Sequence, residues 1–403
     1  MNQELLKKES RKWVQEGIIT EEQKDKILGL YPKRNGRVLL LLFASLFIGL
    51  GFLTFIASNW SLIPDLAKMT IILFFMLGFY LIGEHVYRNR TETVGICLII
   101  IGLFVFGAGI FLTGQLYNYM YFAATPFVIW SVAGFCLFAI YQRAPLFAVA
   151  IFITTVGQLY SAAVYSSFNY WLFLLLVFAF GHFTYHHARY LYSYLFVTSF
   201  MIQSLVFTFL ERFEYIWFVC FMLVIYFLSR VANEQSIKIP FYRIGVLSMF
   251  VWNIFHIFIL NGTYFLSWEM EYNFVFLVVW FVLFGLILVE KIWRKSYEQL
   301  TEVVLFLPIF YFPFGDMIAM LALFIFSLGL LLNGYQVVDT KRIYHGTFAF
   351  LISTFIAYVQ LAWAFLNKSL FFFIGGILLF TLSYLLERKR RQMKSENKEE
   401  TTR

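Results

Sequence analysis

Val94–Thr113 reads VGICLIIIGLFVFGAGIFLT, twenty residues without a charged side chain, an amide or a proline. As a helix rising about 1.5 Å per residue this stretch is about 30 Å long, which matches the hydrocarbon core of a bilayer. Arg88 and Arg90 stand before it, whereas after it no basic residue occurs until Arg143. The flanks therefore have a direction: one end of the span is basic and the other is not.

Working outward, thirteen further apolar runs have comparable character. The first seven spans are Val38–Ser58, Met69–Tyr87, Val94–Thr113, Ala124–Tyr141, Pro145–Val164, Tyr170–His187 and Tyr190–Leu210. The second seven are Phe213–Ser229, Phe241–Asn261, Asn273–Trp293, Thr301–Pro313, Asp316–Gln336, Ile343–Leu366 and Ser369–Leu386. The eleventh is short and contains Pro308 and Pro313, but charge argues for it. With it in place, all of the 31 Lys and Arg residues except Lys68, Arg212 and Lys368 fall on the side of the N-terminus. Without it, Lys341, Arg342 and the basic tail would cross to the other side. The positive-inside rule then places both termini in the cytoplasm.

Composition supports the same class. Of 403 residues 61% are apolar and 13% charged, where a soluble chain carries about 25% charged residues. The net charge of +8 sits mainly in the tails and short loops, so topology and anionic lipid account for it and nucleic acid is not an expected partner. Cys97, Cys136 and Cys220 all lie in apolar runs without metal-ligand spacing. No cofactor motif appears, and no cleaved signal is expected at the N-terminus. The expectation is an all-α, polytopic protein of a bacterial plasma membrane with about 14 transmembrane helices. Its parts are a cytoplasmic hairpin and linker (1–37), a first membrane region (38–165), a second (166–387) and a basic, polar tail (388–403).

The N-terminal segment reads as a helical hairpin. Leu5, Leu6, Trp13 and Val14 form one apolar stripe, Ile27, Leu28 and Leu30 the next, and Gly17 ends the first helix. Thr20 followed by Glu21, Glu22 and Gln23 is a capping box. A thirty-residue hairpin is too small to hold its own core, so it either docks a protein partner or second protomer or packs as a lid on its own membrane region.

The run Trp13, Val14, Gln15, Glu16, Gly17, Ile18, Ile19, Thr20, Glu21, Glu22, Gln23 resembles the opening of a bacterial predicted-membrane-protein family of unknown function. Gly49, Gly51, Phe55, Ile56, Ala57, Asn59, Trp60 and then Phe106, Gly107, Ala108, Gly109, Ile110, Gln115, Tyr117, Asn118 are similar to that family's other two signatures, in the same order. The likeness covers roughly the first 165 residues. Gly375, Gly376, Tyr384, Glu387 and Arg388 resemble its closing helix. The resemblance implies a membrane fold and no particular activity.

Ionisable residues deep in a span would be functional hypotheses by default, but Glu84, Glu290 and Glu302 all read as lying within a turn or two of the basic side. Amides instead gather toward the other side of the odd-numbered spans. Asn59 and Trp60 close the first, Gln115, Tyr117 and Asn118 follow the third, and Gln158 and Tyr160 lie in the fifth. Gln203, Asn253 and Gln360 lie in the seventh, ninth and thirteenth. If they converge, these ten residues form an uncharged, outward-open pocket for a sugar, a peptide or a lipid headgroup; otherwise the amides glue helices together. His182, His186 and His187 have an H-x3-H-H spacing that lacks a third metal ligand. His256 and Asn253 share one helix face, where an interhelical hydrogen bond is expected. Ser199, Ser204 and Ser248 lack the context of a nucleophile. The two functional expectations are binding or translocation of an uncharged or lipid-linked envelope component, and a non-catalytic scaffold that recruits partners through the hairpin. Membrane lipids are the expected partners of both.

Overall fold

The computed structural model describes residues 10–11, 13–30, 36–57, 64–116, 124–210, 215–260, 273–294, 300–312, 314–362, 373–377, 380–381 and 384. Among them every regular element is helical. In chain order these are α1 (Glu21–Leu30), α2 (Gly36–Ala57), α3 (Asp65–Asn89), α4 (Glu92–Leu116), α5 (Thr125–Tyr141) and α6 (Ala144–Tyr165). Next comes α7, in which π-helical Leu175–Phe180 joins Tyr170–Leu174 to Gly181–His187. There follow α8 (Tyr190–Leu210), α9 (Trp217–Val231), α10 (Gln235–Leu260), α11 (Phe274–Trp293), α12 (Leu300–Val303), α13 (Gly315–Gln336) and α14 (Thr340–Ala362).

Eight of the described helices are long and apolar enough to cross a membrane: α3, α4, α6, α8, α10, α11, α13 and α14. Shorter apolar stretches cover Leu40–Gly51, Thr125–Tyr141 and Trp217–Val231. The expected span at 301–313 is interrupted at Leu307 and Pro308, whereas that at 170–187 stays helical through its π-helical stretch. Most of the expected span at 369–386 lies outside the described residues, as do Asn59, Trp60, Tyr117 and Asn118. Helix α10 begins at Gln235, ahead of the expected Phe241, because it takes Pro240 inside it. A proline this near a helix start removes only one internal hydrogen bond.

In the N-terminal segment the chain turns as its residues direct. Gly17 adopts φ +72°, and the Ile18 N–H bonds to the Trp13 carbonyl at 2.8 Å while the Gly17 N–H bonds to Val14 at 3.1 Å. This pair of bonds is a Schellman stop, which requires a left-handed residue that only glycine adopts without strain. Thr20 and Gln23 then exchange hydrogen bonds, Gln23 N–H to the Thr20 hydroxyl at 3.3 Å and Thr20 N–H to the Gln23 side chain at 3.0 Å. The capping box starts α1 as the sequence indicates.

The chain groups into two compact units, Met1–Val149 and Ala150–Arg403. In the first, α4 is the central element, packed by α2, α3 and α5. Its apolar composition on every side suits a helix enclosed all round: 67% of its spanning window is buried, against 11% for α3. Small residues make the enclosure possible. A Cβ on Gly95 would come within 2.5 Å of the Tyr87 backbone, and one on Gly107 would overlap the Trp130 indole. Trp130 in turn donates its indole N–H to the Leu103 carbonyl at 2.8 Å.

In the second unit α10 is the hub, packing against α8, α9 and α13. Asn169 and Asn273 cap α7 and α11, accepting from the N–H of Leu172 at 3.2 Å and of Phe276 at 3.0 Å. The feature that sets this unit apart is the segment between α11 and α13. It is a single turn of α12, a 3-10 turn at Val304–Phe306, a break at Leu307 and Pro308, and a second 3-10 turn at Ile309–Tyr311.

Candidate functional site

The broken segment runs antiparallel to α13. A Cβ on Gly329 would touch Thr301, and one on Gly315 would touch the Ile309 carbonyl. Between those glycines α13 advances about 21 Å at 1.5 Å per residue. The eight steps from Thr301 to Ile309 cover that distance at about 2.6 Å each, between the rise of a helix and that of a strand. Non-helical backbone at membrane depth survives only where protein encloses it, and Val303, Leu305, Phe306, Ile309 and Phe310 are all buried.

Unwinding leaves carbonyls that need donors, and two side chains supply them. The Asn253 amide donates to Leu305 O at 2.8 Å as well as to Met249 O on its own helix at 2.9 Å. The Trp280 indole donates to Phe306 O at 2.9 Å. So the interhelical hydrogen bond expected of the Asn253 and His256 face exists, made by Asn253 alone.

Charge gathers at the Thr301 end. Glu302, buried on α12, accepts from the Tyr226 hydroxyl of α9 at 2.7 Å and the Tyr242 hydroxyl of α10 at 2.6 Å. Lys291 of α11, fully enclosed, places its Nζ 3.8 Å from the same carboxylate and 5.4 Å from the centre of the Tyr226 ring. Beside it Arg230 Nε meets Glu290 Oε2 at 3.0 Å, and Arg294 Nε lies 3.0 Å from the other Glu290 oxygen. Two enclosed cations, Arg230 and Lys291, thus share one cluster with two carboxylates, each paired as burial of charge requires, while Arg294 reaches Glu290 from the exposed side. In sequence these residues are scattered ends of separate spans. Placing Arg230, Glu290, Lys291 and Glu302 at one depth by charge parity was the available signal, but nothing in it marked Tyr226 and Tyr242.

Among the described residues, those amides of the expected pocket that find partners bond to groups other than one another. The Gln158 amide, with its nitrogen toward the Asn169 carbonyl at 3.0 Å and its oxygen toward the Asn169 N–H at 3.1 Å, ties α6 to the start of α7. The Ser161 hydroxyl bonds to Ser167 O in the same turn, and the Tyr160 ring packs edge-on against Tyr165. Gln203 is buried and donates to the Ser199 hydroxyl at 3.4 Å, which lies 2.7 Å from that of Thr155. Gln360 has a buried Nε2 without a partner among the described residues. Gln115 is exposed. His182 and His186 lie 4.2 Å apart between ring centres, tilted by 58°, on the exposed end of α7, and His187 lies flat on Phe183. Among the described residues no three His, Cys, Asp or Glu side chains are placed to hold a metal ion. All three cysteines are free thiols.

The first unit has a different kind of site. Between α3, α4 and α5 lies a groove of about 480 Å³, walled by Met69, Ile72, Leu73 and Met76 on one side and Pro126 and Ile129 on the other. Its floor is Phe106, Gly109, Ile110, Thr113 and Gly114, the stretch that leads into Gln115. The Thr113 hydroxyl is spent on the Gly109 carbonyl at 2.8 Å, so the surface offered is apolar. Leu73 and Ile129 are each about half exposed at its rim, 47% and 48%.

Neither the curated proteins nor the solved structures give a match to this chain. The three signature runs around Trp13–Gln23, Gly49–Ala57 and Phe106–Gln115 fall together in one matched stretch, while the broken segment and its charged cluster lie outside it. Over residues 11–147 the chain matches the family described as Predicted membrane protein (DUF2157), a family of unknown function.

Proposed function

We propose that this chain is a fourteen-pass protein of a bacterial plasma membrane, with both termini cytoplasmic, that binds the apolar part of a lipid-linked envelope component. The groove between α3, α4 and α5 carries this reading. Its apolar lining suits an acyl or prenyl chain, and its volume lies within the range of small-molecule pockets, about 300–1,000 Å³. At the groove's Gly114 end the exposed amide of Gln115 offers a donor and an acceptor to an uncharged headgroup.

The test is photocrosslinking of the purified full-length protein in nanodiscs with a diazirine-bearing lipid, read by peptide mass spectrometry. Labels are expected on Met69, Met76 and Ile129. Gly109→Leu fills the floor and Ile129→Trp closes the rim from its exposed side. Each should remove most of that labelling while leaving labels on outward-facing Leu81 unchanged. Equal labelling in both folded variants would reject the groove as a binding site.

A scaffold role is the second reading, and Ile18 favours it: a large apolar side chain, 64% exposed, at the bend that precedes α1. Deleting residues 1–30 should then abolish recovery of a specific partner in a pull-down from membranes. Unchanged recovery would remove the docking role.

A further inference from the structure

One turn of α10 in the second unit carries more polar atoms than the structure answers. Trp252, Asn253 and His256 are all buried, the latter two completely. The Asn253 nitrogen is used, but among the described residues its Oδ1 has no hydrogen-bond partner, nor have Trp252 Nε1 and both nitrogens of the His256 ring. Four unanswered atoms within one helical turn are unusual in a buried setting, where an orphaned polar group loses its hydration without compensation. Their neighbours make no polar claim on them in these contacts. The His256 ring packs on Phe310 at 5.8 Å, on Tyr215 at 5.6 Å and on Trp252 at 5.4 Å between ring centres.

The chemistry of the four atoms describes what would satisfy them. Trp252 Nε1 only donates and Asn253 Oδ1 only accepts, while a neutral imidazole provides one donor and one acceptor. Donors and acceptors are therefore balanced two to two. Phe310, from the broken segment, faces the imidazole with an apolar ring. A cation would leave the two donors unanswered, and an anion the two acceptors. A small molecule that donates and accepts equally answers all four.

We propose that this turn of α10, faced by the broken segment, is a hydration site: ordered water held by Trp252, Asn253 and His256 inside the second unit. The segment that faces this turn is broken at Leu307 and Pro308 rather than continuous helix. The site is independent of the lipid groove, which lies in the other unit. It gives the second unit a neutral polar interior distinct from its charged cluster.

Radiolytic hydroxyl-radical footprinting of the full-length protein in nanodiscs tests this, because radicals formed from ordered internal water modify the side chains beside it. Trp252 and His256 should be modified several-fold faster than Trp280, which is equally buried but has its N–H bonded to Phe306. Rates for Trp252 and His256 no higher than for Trp280 would overturn the proposal. A second measurement uses His256→Phe. With water present, the variant strands it against Asn253 and Trp252, and thermal stability should fall. In a dry site the same variant removes two orphaned nitrogens, so a rise in melting temperature would also overturn the proposal.

Discussion

The two units solve the same problem in opposite ways. In the first, α4 is an unbroken helix whose backbone bonds to itself, so its packing asks mainly for shape: its own glycines meet Tyr87 and Trp130, and aliphatic side chains fill the rest. In the second, the segment between α11 and α13 breaks, and the freed carbonyls must be met by Asn253 and Trp280. Interrupted backbone therefore recruits buried polar side chains, while continuous backbone leaves room for an apolar groove. Charge follows the same division. The first unit keeps its ions at helix ends, where Glu84 meets Arg88 and the Tyr141 hydroxyl, and Glu92 meets Arg143. The second encloses Glu302, Lys291 and Arg230.

The largest effect should come from Glu302→Ala. It leaves Lys291 and two tyrosine hydroxyls without their shared acceptor, and loss of one member of a buried pair costs about 3–5 kcal/mol. Thermal unfolding in detergent should show a large drop in midpoint, with Glu302→Gln intermediate because it still accepts from the tyrosines. A drop no larger than that of a surface mutation would show that the cluster is hydrated and the contrast between the units false.

A sharper comparison pairs two tryptophans that make the same bond. Trp280→Phe removes the donor to a carbonyl in the broken segment and should cost about 1–3 kcal/mol, the price of an unanswered buried acceptor. Trp130→Phe removes the donor to Leu103, whose carbonyl lies within continuous α4 and keeps its helical partner. It should cost about 0.5–1.5 kcal/mol. Equal losses in the two variants would mean that the break places no special demand on its neighbours.

The smallest effect is expected from Glu92→Ala. Its ion pair with Arg143, at 2.7 Å, is 61% and 44% exposed, and such pairs contribute about 0–1 kcal/mol. A melting midpoint within error of the parent protein, and no dependence on salt, is the expected outcome. A loss approaching that of Glu302→Ala would show that the first unit also relies on charge.

Much of the architecture was legible in advance, because lipid imposes simple rules. Runs of apolar residues must be helices, and their lengths are bounded by the bilayer, so the positions of α2 to α6, α8, α11 and α13 are readable to within a few residues. Local punctuation was equally plain: Gly17 and the Thr20 capping box act through neighbours in sequence. Charge parity argues for an eleventh span at 301–313, but the conformation of that segment was not legible in it. Pro308 marks a break without saying which residues will answer it. The candidate sites were less legible still. Amides in spans are visible in sequence, but whether Gln158 faces a ligand or the backbone of Asn169 depends on a turn that brings the two together.

The sequence by itself determined that this is a helical membrane protein, where its apolar helices lie and which ends carry charge, since each of these follows from hydropathy and charge counted along the chain. Only the tertiary structure decided that Glu302 meets Tyr226, Tyr242 and Lys291, that Asn253 and Trp280 hold the broken segment, and that α3, α4 and α5 leave a groove between them. Those outcomes depend on the packing of helices distant in sequence, where a few ångströms decide whether a buried polar atom finds its partner.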